Sequence, residues 1–534
     1  MAEIIQIVFL LLAVLVVVAV IAQRLKTPPS ILLVIAGIAL ALIPGLPPVE
    51  LAPELVLLVL LPPLIYSAGV SMSWREFRFN LRAITLLAFG AVVFTTCAVA
   101  AAVHYWLGWQ WGVAFVLGAI VAPPDVVAPL AIARRLGLPR RVLVILEGEG
   151  LANDATALIL YRFAVLSIST GAFSLSKAGA TFGLVVLGEI FFGIGVGWLS
   201  LRLRQWANNP RVEITLSLMT PYLAYLIPEH LGGSGVLATV ACGLYVSWNG
   251  PRLIPAATRL QGIFFWDLII YLIEGFVFLI TGLQARTLIE KAHDFPVREL
   301  LVAITITVAI VIVARFIWVF PVTYLSRWLI PAVRRRDPLP PWQQTFIVAF
   351  TGVRGVVSLA AALAIPLTIE NGAPFPHRDA ILFATFGVII VTLIGQGLTL
   401  PAVIRWLGVG HHARAEHRRE QEAELEARNA AILHSRQHLK KLAAERHLSP
   451  QIVEFLDARH DHRERLIPND LGDGLHVLRE GNDVRRELIE AERDFLYEML
   501  RDGKITDESR RRLERDLDLE EAAILARREG MTPL

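Results

Sequence analysis

Apolar runs about long enough to cross a bilayer divide most of this sequence, and charged or Gly/Pro-rich breaks separate them. They cover approximately residues 3–22, 29–46, 52–70, 83–106, 111–133, 141–167, 178–203, 212–228, 233–248, 261–283, 299–325, 341–366 and 379–407. Beyond 407 the pattern changes. Charged residues crowd in, and apolar positions recur at helical spacing over Ala423–Arg446 and Asp483–Arg501. Pro450, Pro468 and Gly472–Gly474 interrupt that pattern, and Asp502–Ser509 reads as a turn into a helix capped near Thr506. The fold class predicted is an all-α polytopic membrane protein with about thirteen transmembrane helices over 1–407, followed by a helical cytosolic tail over 408–534.

Composition agrees with the pattern. Of 534 residues, 55% are hydrophobic and only 18% charged, and the mean hydropathy of +0.58 lies outside the range of ordinary soluble enzymes. The net charge of +3 is small, so the position of the basic residues says more than their sum. Arg24 and Lys26, Arg75, Arg78 and Arg82, Arg134 to Arg141, Arg202 to Arg211, Arg252 and Arg259, and Arg327 with Arg334–Arg336 fall in alternate loops between the runs. The positive-inside bias makes those loops cytoplasmic, with the N-terminus outside and the tail inside, as an odd number of crossings requires. The first run lacks a basic leader and a cleavage site, so it reads as a retained helix. Cys97 and Cys242 both sit in apolar runs and read as small buried hydrophobes, with no disulfide or metal site implied.

The thirteen runs also divide into two groups of six around the seventh. Those groups are necessarily inverted, an arrangement common among secondary transporters. Their fifth members share a feature. The fifth run holds Pro123-Pro124-Asp125 and the twelfth Gly352-Val353-Arg354-Gly355, each a helix-breaking cluster around one charge. The two prolines remove backbone donors and push the chain out of the helical region, leaving Asp125 at the start of a second half-helix, where free amides favour a carboxylate. In the sixth run, Gly148-Glu-Gly-Leu-Ala-Asn-Asp154 places Glu149 and Asn153 on one face and Gly150 and Asp154 on the adjacent one. At 1.5 Å per residue, Asp154 lies roughly 20 Å from the cytoplasmic end of its run, and Asp125 and Arg354 reach a similar depth.

An ionisable group at that depth costs several kcal/mol and is functional by default, although a hydrogen-bonded pair steadying a bundle is the plainer alternative. A carboxylate held there is neutralised by a proton or by a small cation, hardly by both. Exposed to each side of the membrane in turn, such a site exchanges one for the other. Asp154 and Asp125 are therefore the candidate acids for a proton and a small cation, and Asn153 supplies a neutral amide that orients the neighbouring acid. Glu149 is the expected counter-charge of Arg354, since an unpaired buried guanidinium is prohibitive.

With these three motifs in order and in matching runs, the chain resembles the bacterial sodium/proton exchanger superfamily, in the cation/proton antiporter branch marked by an Asn-Asp pair. The likeness covers about residues 5–407. It implies a homodimer in the bacterial plasma membrane, crossed broken helices at the fifth and twelfth spans, and electroneutral exchange. It also implies Asp154 as the ion- and proton-binding acid, Asp125 as the crossing-helix acid, and Glu149 with Arg354 as a structural ion pair. The sequence departs from the family pattern at Ser67, where relatives often carry Glu, at Gly150, where some offer a Ser, and at Pro124, where many have Thr. Fewer oxygen ligands leave Na⁺, K⁺ and Li⁺ open. Ser67, Gly150 and Glu274 are auxiliary candidates, Glu274 because it falls near mid-depth in the tenth run, on one face with Asp267, and would restore the acid missing at Ser67.

Arg315 and Arg162 read as structural partners or snorkelling groups; Glu189 has no assignment. The tail reads as an assembly extension, or as a pH-responsive element through Arg459-His-Asp-His-Arg463. No nucleotide-binding or other cofactor motif occurs, and nothing points to nucleic acid, so membrane lipid, the cation and H⁺ are the partners expected. A rival from another class, an intramembrane aspartyl protease using Asp125 and Asp154, lacks a Gly-x-Gly-Asp motif and leaves Arg354 without a role.

Overall fold

A computed structural model describes residues 2–44, 52–170, 175–292, 297–329, 339–369, 372–465 and 473–530, together with Arg335 and Asp337. The tail break expected at Pro468, Gly472 of the expected glycine break, and Arg334 and Arg336 of the basic loop lie outside them. The chain divides into two compact units, Met1–Val409 and Gly410–Leu534.

Among its described residues the first unit consists of helices joined by turns and unwound segments, with one isolated bridge between Thr368 and Pro374. In order it comprises α1 (Ala2–Leu25), α2 (Pro29–Ala41), a π-helical turn Leu55–Leu60 running into α3 (Leu61–Ser71), and α4 (Trp74–Thr85) continuing through the π-helical Leu86–Ala91 into α5 (Val92–Leu107). Then follow α6 (Trp111–Val121), α7 (Val127–Arg135), α8 (Arg140–Thr170), α9 (Leu175–Ala207), α10 (Pro210–His230), α11 (Val236–Leu253), α12 (Ala256–Ala292) and α13 (Val297–Leu329). The unit closes with α14 (Trp342–Phe350), α15 (Val356–Leu363), and α16 (Arg378–Ile390) continuing through the π-helical Val391–Gln396 into α17 (Gly397–Leu407).

Seven described helical stretches are long and apolar enough to cross a membrane, and Pro29–Ala41, Leu55–Ser71 and Trp111–Val121 are shorter apolar helices. Large apolar side chains such as Leu184, Phe191, Trp206 and Phe264 stand exposed on them. Water would penalise that surface and hydrocarbon does not, so the unit is a multi-pass membrane protein. Several boundaries differ from the hydropathy reading. Arg75, Arg78 and Arg82 belong to helix α4 and not to a loop, because Ser73 caps Glu76 N and an amphipathic helix runs on into the apolar span. Arg259 likewise sits on α12. Cys242 is buried, whereas Cys97 is exposed.

Small residues set the packing where helices approach closely, as expected when lipid offers no hydrophobic drive between them. Gly37 on α2 faces Gly282 on α12 so tightly that a methyl group on either would strike the other's backbone. Gly69 on α3 meets Gly243 on α11 in the same way.

The second unit holds α18 (Gly410–Arg446), α19 (Pro450–Arg465), α20 (Asp473–Arg501) and α21 (Asp507–Gly530). Thr506 Oγ1 caps α21 by accepting from Ser509 N at 3.2 Å, and Pro450 opens α19. Ile489, Leu517 and Ile524 form a small apolar cluster, flanked by Arg485–Glu520 and Arg493–Asp518 pairs. The His-rich stretch lies on α19, where Arg436 of α18 pairs with Asp461 and Glu464.

Candidate functional site

The site begins with two failed helices. After α6 the prolines at 123 and 124 offer no N–H, and the backbone stays unwound until α7 starts at Val127. In an unbroken helix Val121 O would accept from the amide of residue 125. Here Asp125 N donates instead to Val353 O at 2.7 Å, across to the second break, residues 351–355 between α14 and α15. The two breaks therefore touch. Gly355 makes this approach possible, since a Cβ there would fall on the Asp125 carboxylate. Asp125 Oδ1 in turn accepts from Val127 N at 2.9 Å and so satisfies a free amide at the start of α7.

Arg354, 1% exposed, restores what the first break removes. Its Nε donates to Val121 O at 2.8 Å and one Nη to Ala122 O at 3.1 Å, while the other Nη donates to Gly352 O. Its own amide donates to Thr392 Oγ1 at 3.0 Å. The guanidinium thus sits on the orphaned carbonyls at the C-terminal end of α6, the negative end of that helix dipole.

Glu149 consequently does not pair with Arg354. Its partner is Arg315 of α13, which grips both carboxylate oxygens at 2.5 and 2.8 Å and also donates to Val348 O of α14 at 3.0 and 3.2 Å. Both side chains are buried, at 3% and 0% exposure. The expected Glu149–Arg354 pair is corrected to Glu149–Arg315 for a steric and electrostatic reason. Arg354 finds compensation in carbonyls of its own neighbourhood, and the planar fork of Arg315 matches the carboxylate from the other side. Gly352 leaves room for both guanidinium groups, which would meet a Cβ there.

Asn153, fully buried on α8, donates through Nδ2 to Pro124 O at 2.6 Å and ties α8 to the first break. Its Oδ1 has no partner. One residue on, Asp154 turns to a cavity of about 420 Å³, and among the described residues no side chain or amide donates to its carboxylate. Asp125, Gly150, Ser67, Glu274 and Ser358 line the same cavity. At another edge of it stand Arg134 and Glu147, paired at 2.5 Å with Arg134 61% exposed. A Cβ on Gly150 would fall on a Val126 methyl, so enlarging this residue requires Val126 to move.

The sequence reading missed Glu147, Arg134, Thr392 and Ser358, and undervalued Arg315. Glu147 carried a signal, since it precedes Asp154 by seven residues and shares its face. Thr392 carried none. Asp267 lines a different cavity. Arg162, two turns beyond Asp154 on α8, pairs with Glu229 and donates to Gly233 O. Glu189 has a structural duty at the N-terminus of α11, accepting from Ser234 N at 2.6 Å and Gly235 N at 3.3 Å.

A multi-pass helical protein with two unwound segments in contact, and a carboxylate facing a cavity that holds further acids and hydroxyls beside them, fits the class of ion-handling secondary transporters. Residues 10–406 match the family described as sodium/hydrogen exchanger, transmembrane. The chain belongs to that family. It is 35% identical, over 96% of its length and 95% of the relative's, to a protein of Mycobacterium tuberculosis named as a Na⁺/H⁺ exchanger. A sodium, potassium, lithium and rubidium/H⁺ antiporter of Bacillus pumilus is 34% identical, with 70% of this chain and 57% of that one covered. The fold is similar to that of the sodium proton antiporter MjNhaP1 of Methanocaldococcus jannaschii, with a TM-score of 0.60 at 20% identity over 75% of this chain and 97% of that one.

Proposed function

We propose that the protein is a secondary antiporter exchanging H⁺ for Na⁺ by alternating access, with Asp154 as the group that takes the proton and the cation in turn. The observation that carries this reading is the Asp154 carboxylate itself. It faces a cavity walled in part by Asp125, Glu274, Ser67 and Ser358 beside the crossing of the two breaks, and no donor among the described residues is spent on it, while the charges of Glu149, Arg315 and Arg354 are compensated. Asp125 supplies a second oxygen ligand and Asn153 holds the break in register. Glu149, Arg315 and Arg354 form the rigid frame. The geometry argues against an aspartyl protease, because Asp125 Oδ1 is taken as a cap, which leaves one oxygen for an ion and not the pair of free carboxylates that a protease dyad requires. The protein acts as a transporter and not as an enzyme.

The finer features belong to the same proposal. The chain crosses a bacterial plasma membrane thirteen times as two inverted groups around the seventh span, works as a homodimer, and has its N-terminus outside and its tail in the cytosol. Exchange is electroneutral. The cavity that ends at Arg134 and Glu147 is then the cytoplasmic approach. On the other side of Asp154, about 12 Å further along α8, Arg162 is held by Glu229 and Gly233 O and must release them when the site faces outward.

A second reading, broader cation acceptance including K⁺ and Li⁺, is favoured by the cavity lining: Ser67 and Gly150 offer one hydroxyl and no side-chain oxygen. Purified protein in liposomes with an internal pH dye tests both. Na⁺, K⁺ and Li⁺ added in turn should drive proton movement in wild type and none in Asp154→Asn. Absence of cation-coupled proton movement in wild type overturns the proposal, and equal rates at positive and negative clamped potentials support electroneutrality.

A further inference from the structure

A second cavity, of about 300 Å³, lies between α3, α9, α10, α11 and α12 and shares Ser67 and Ser71 with the cavity of Asp154. Its lining includes Arg204, Glu213, Thr258, Trp266 and Asp267. Arg204 is 5% exposed and donates from one Nη to Tyr66 Oη at 2.9 Å, yet its Nε is buried with no partner. Glu213 is 1% exposed, and its Oε2 is equally without one, as is the Thr258 hydroxyl. No ion pair joins either charge to a counter-ion among the described residues. Two buried and opposite charges that do not neutralise each other are costly, and the cost is removed by a ligand that carries both signs.

The helix register sets the axial offset of the two backbone positions that carry those charges. Ser200 of α9 meets Thr220 of α10 at 2.7 Å. From that level Arg204 lies roughly 6 Å along α9 and Glu213 roughly 10 Å along α10 in the same direction, so the two are offset by roughly 4 to 5 Å at 1.5 Å per residue. At its rim the cavity has Ile263, 61% exposed, beside the exposed Leu260 and Phe264 on the outer face of α12.

We propose that this cavity binds a zwitterion of the phosphoethanolamine kind, its anionic group on Arg204 and Thr258 and its ammonium on Glu213. Two sources share that chemistry, the headgroup of a phosphatidylethanolamine whose chains lie on the apolar rim, and a free glycerophosphoethanolamine. A purely anionic headgroup fits less well, because the lining sets Glu213 and Asp267 against Arg204 and Arg259, and the Arg259 guanidinium already donates to Pro251 O and Ile254 O.

Native mass spectrometry of the intact, delipidated chain in detergent tests this, with phosphatidylethanolamine, phosphatidylglycerol and glycerophosphoethanolamine added in turn. Wild type should retain phosphatidylethanolamine about tenfold more tightly than phosphatidylglycerol, one charge-assisted contact being worth that factor or more. Glu213→Gln should invert the preference toward phosphatidylglycerol, and Thr258→Val should weaken both without inverting it. Arg204→Gln should lose both, and because Glu213→Gln and Thr258→Val carry the test by themselves, its failure to fold would not obscure the result. Glycerophosphoethanolamine binding as tightly as the lipid assigns the site to the free zwitterion, and lipid binding alone assigns it to the headgroup. Equal retention of both lipids by wild type and Glu213→Gln would overturn the proposal.

Discussion

Two faces of the same helix, α8, treat a carboxylate in opposite ways. Glu149 is fully buried and both its oxygens are gripped by Arg315. Asp154, little more than one turn on, faces a cavity and accepts from no protein donor among the described residues. An acid whose two oxygens are both bonded to a fixed guanidinium is part of the frame, and an acid whose oxygens accept from no protein donor is available to a proton or a cation. Burial alone does not separate the two, and neither does depth.

The largest effect should come from taking one partner out of the frame. Arg315→Gln leaves Glu149 buried and uncompensated, which costs about 3–5 kcal/mol, so the variant should unfold at a much lower temperature in detergent or fail to accumulate. The double variant Glu149→Gln with Arg315→Gln should recover part of that loss; equal losses for the single and the double would erase the distinction between frame and site. Asp154→Asn should do the reverse. Cation-driven proton movement in liposomes should vanish while the thermal unfolding temperature stays within a few degrees of wild type.

Smaller effects sharpen the boundary between the faces. Gly355→Ala pushes a methyl group onto the Asp125 carboxylate, and overpacking of this kind costs about 1–3 kcal/mol. Transport should fall by about tenfold or more while the membrane spans remain folded, as read by circular dichroism. Glu274→Gln removes one acid from the cavity wall and should raise the cation concentration for half-maximal exchange by about 1.5-fold to fivefold, the range of a single solvent-screened charge contact. An unchanged concentration dependence would place Glu274 outside the ion path.

The smallest effect is expected in the tail. Hydrogen bonds from Arg485 hold the Glu520 carboxyl below the usual carboxylate range, and those from Arg493 do the same for Glu521. A depressed folded value stabilises above the unfolded pKa of about 4.3 and is lost as pH falls through the folded one. Amide protection in α20 and α21 of the intact protein, taken relative to the intrinsic exchange rate at each pH, should therefore be flat from pH 6 to 8 and fall only below about pH 4. A fall within the neutral range would point instead to the histidines of α19.

Much of this arrangement could be read from residue order. The apolar runs identified the membrane unit, Pro123-Pro124 and Gly352–Gly355 marked the breaks, and an acid in a span marked Asp154, because each follows from local rules of hydrophobicity, missing amides and burial cost. The helical state of Arg75–Arg82 escaped the hydropathy pattern, since an amphipathic extension lowers mean hydropathy without ending the helix.

Partner choice was not local at all. Glu149 had two buried arginines within reach in principle, 166 residues away at Arg315 or further at Arg354. Sequence fixed only that some cation must compensate it. The choice fell to the tertiary structure, because the contact between the two breaks offers Arg354 the carbonyls of Val121 and Ala122 and so leaves Glu149 to Arg315. The apolar runs, the breaks and the acids belong to single stretches of chain and are written there; which charge is satisfied and which is left free depends on the meeting of helices far apart in sequence.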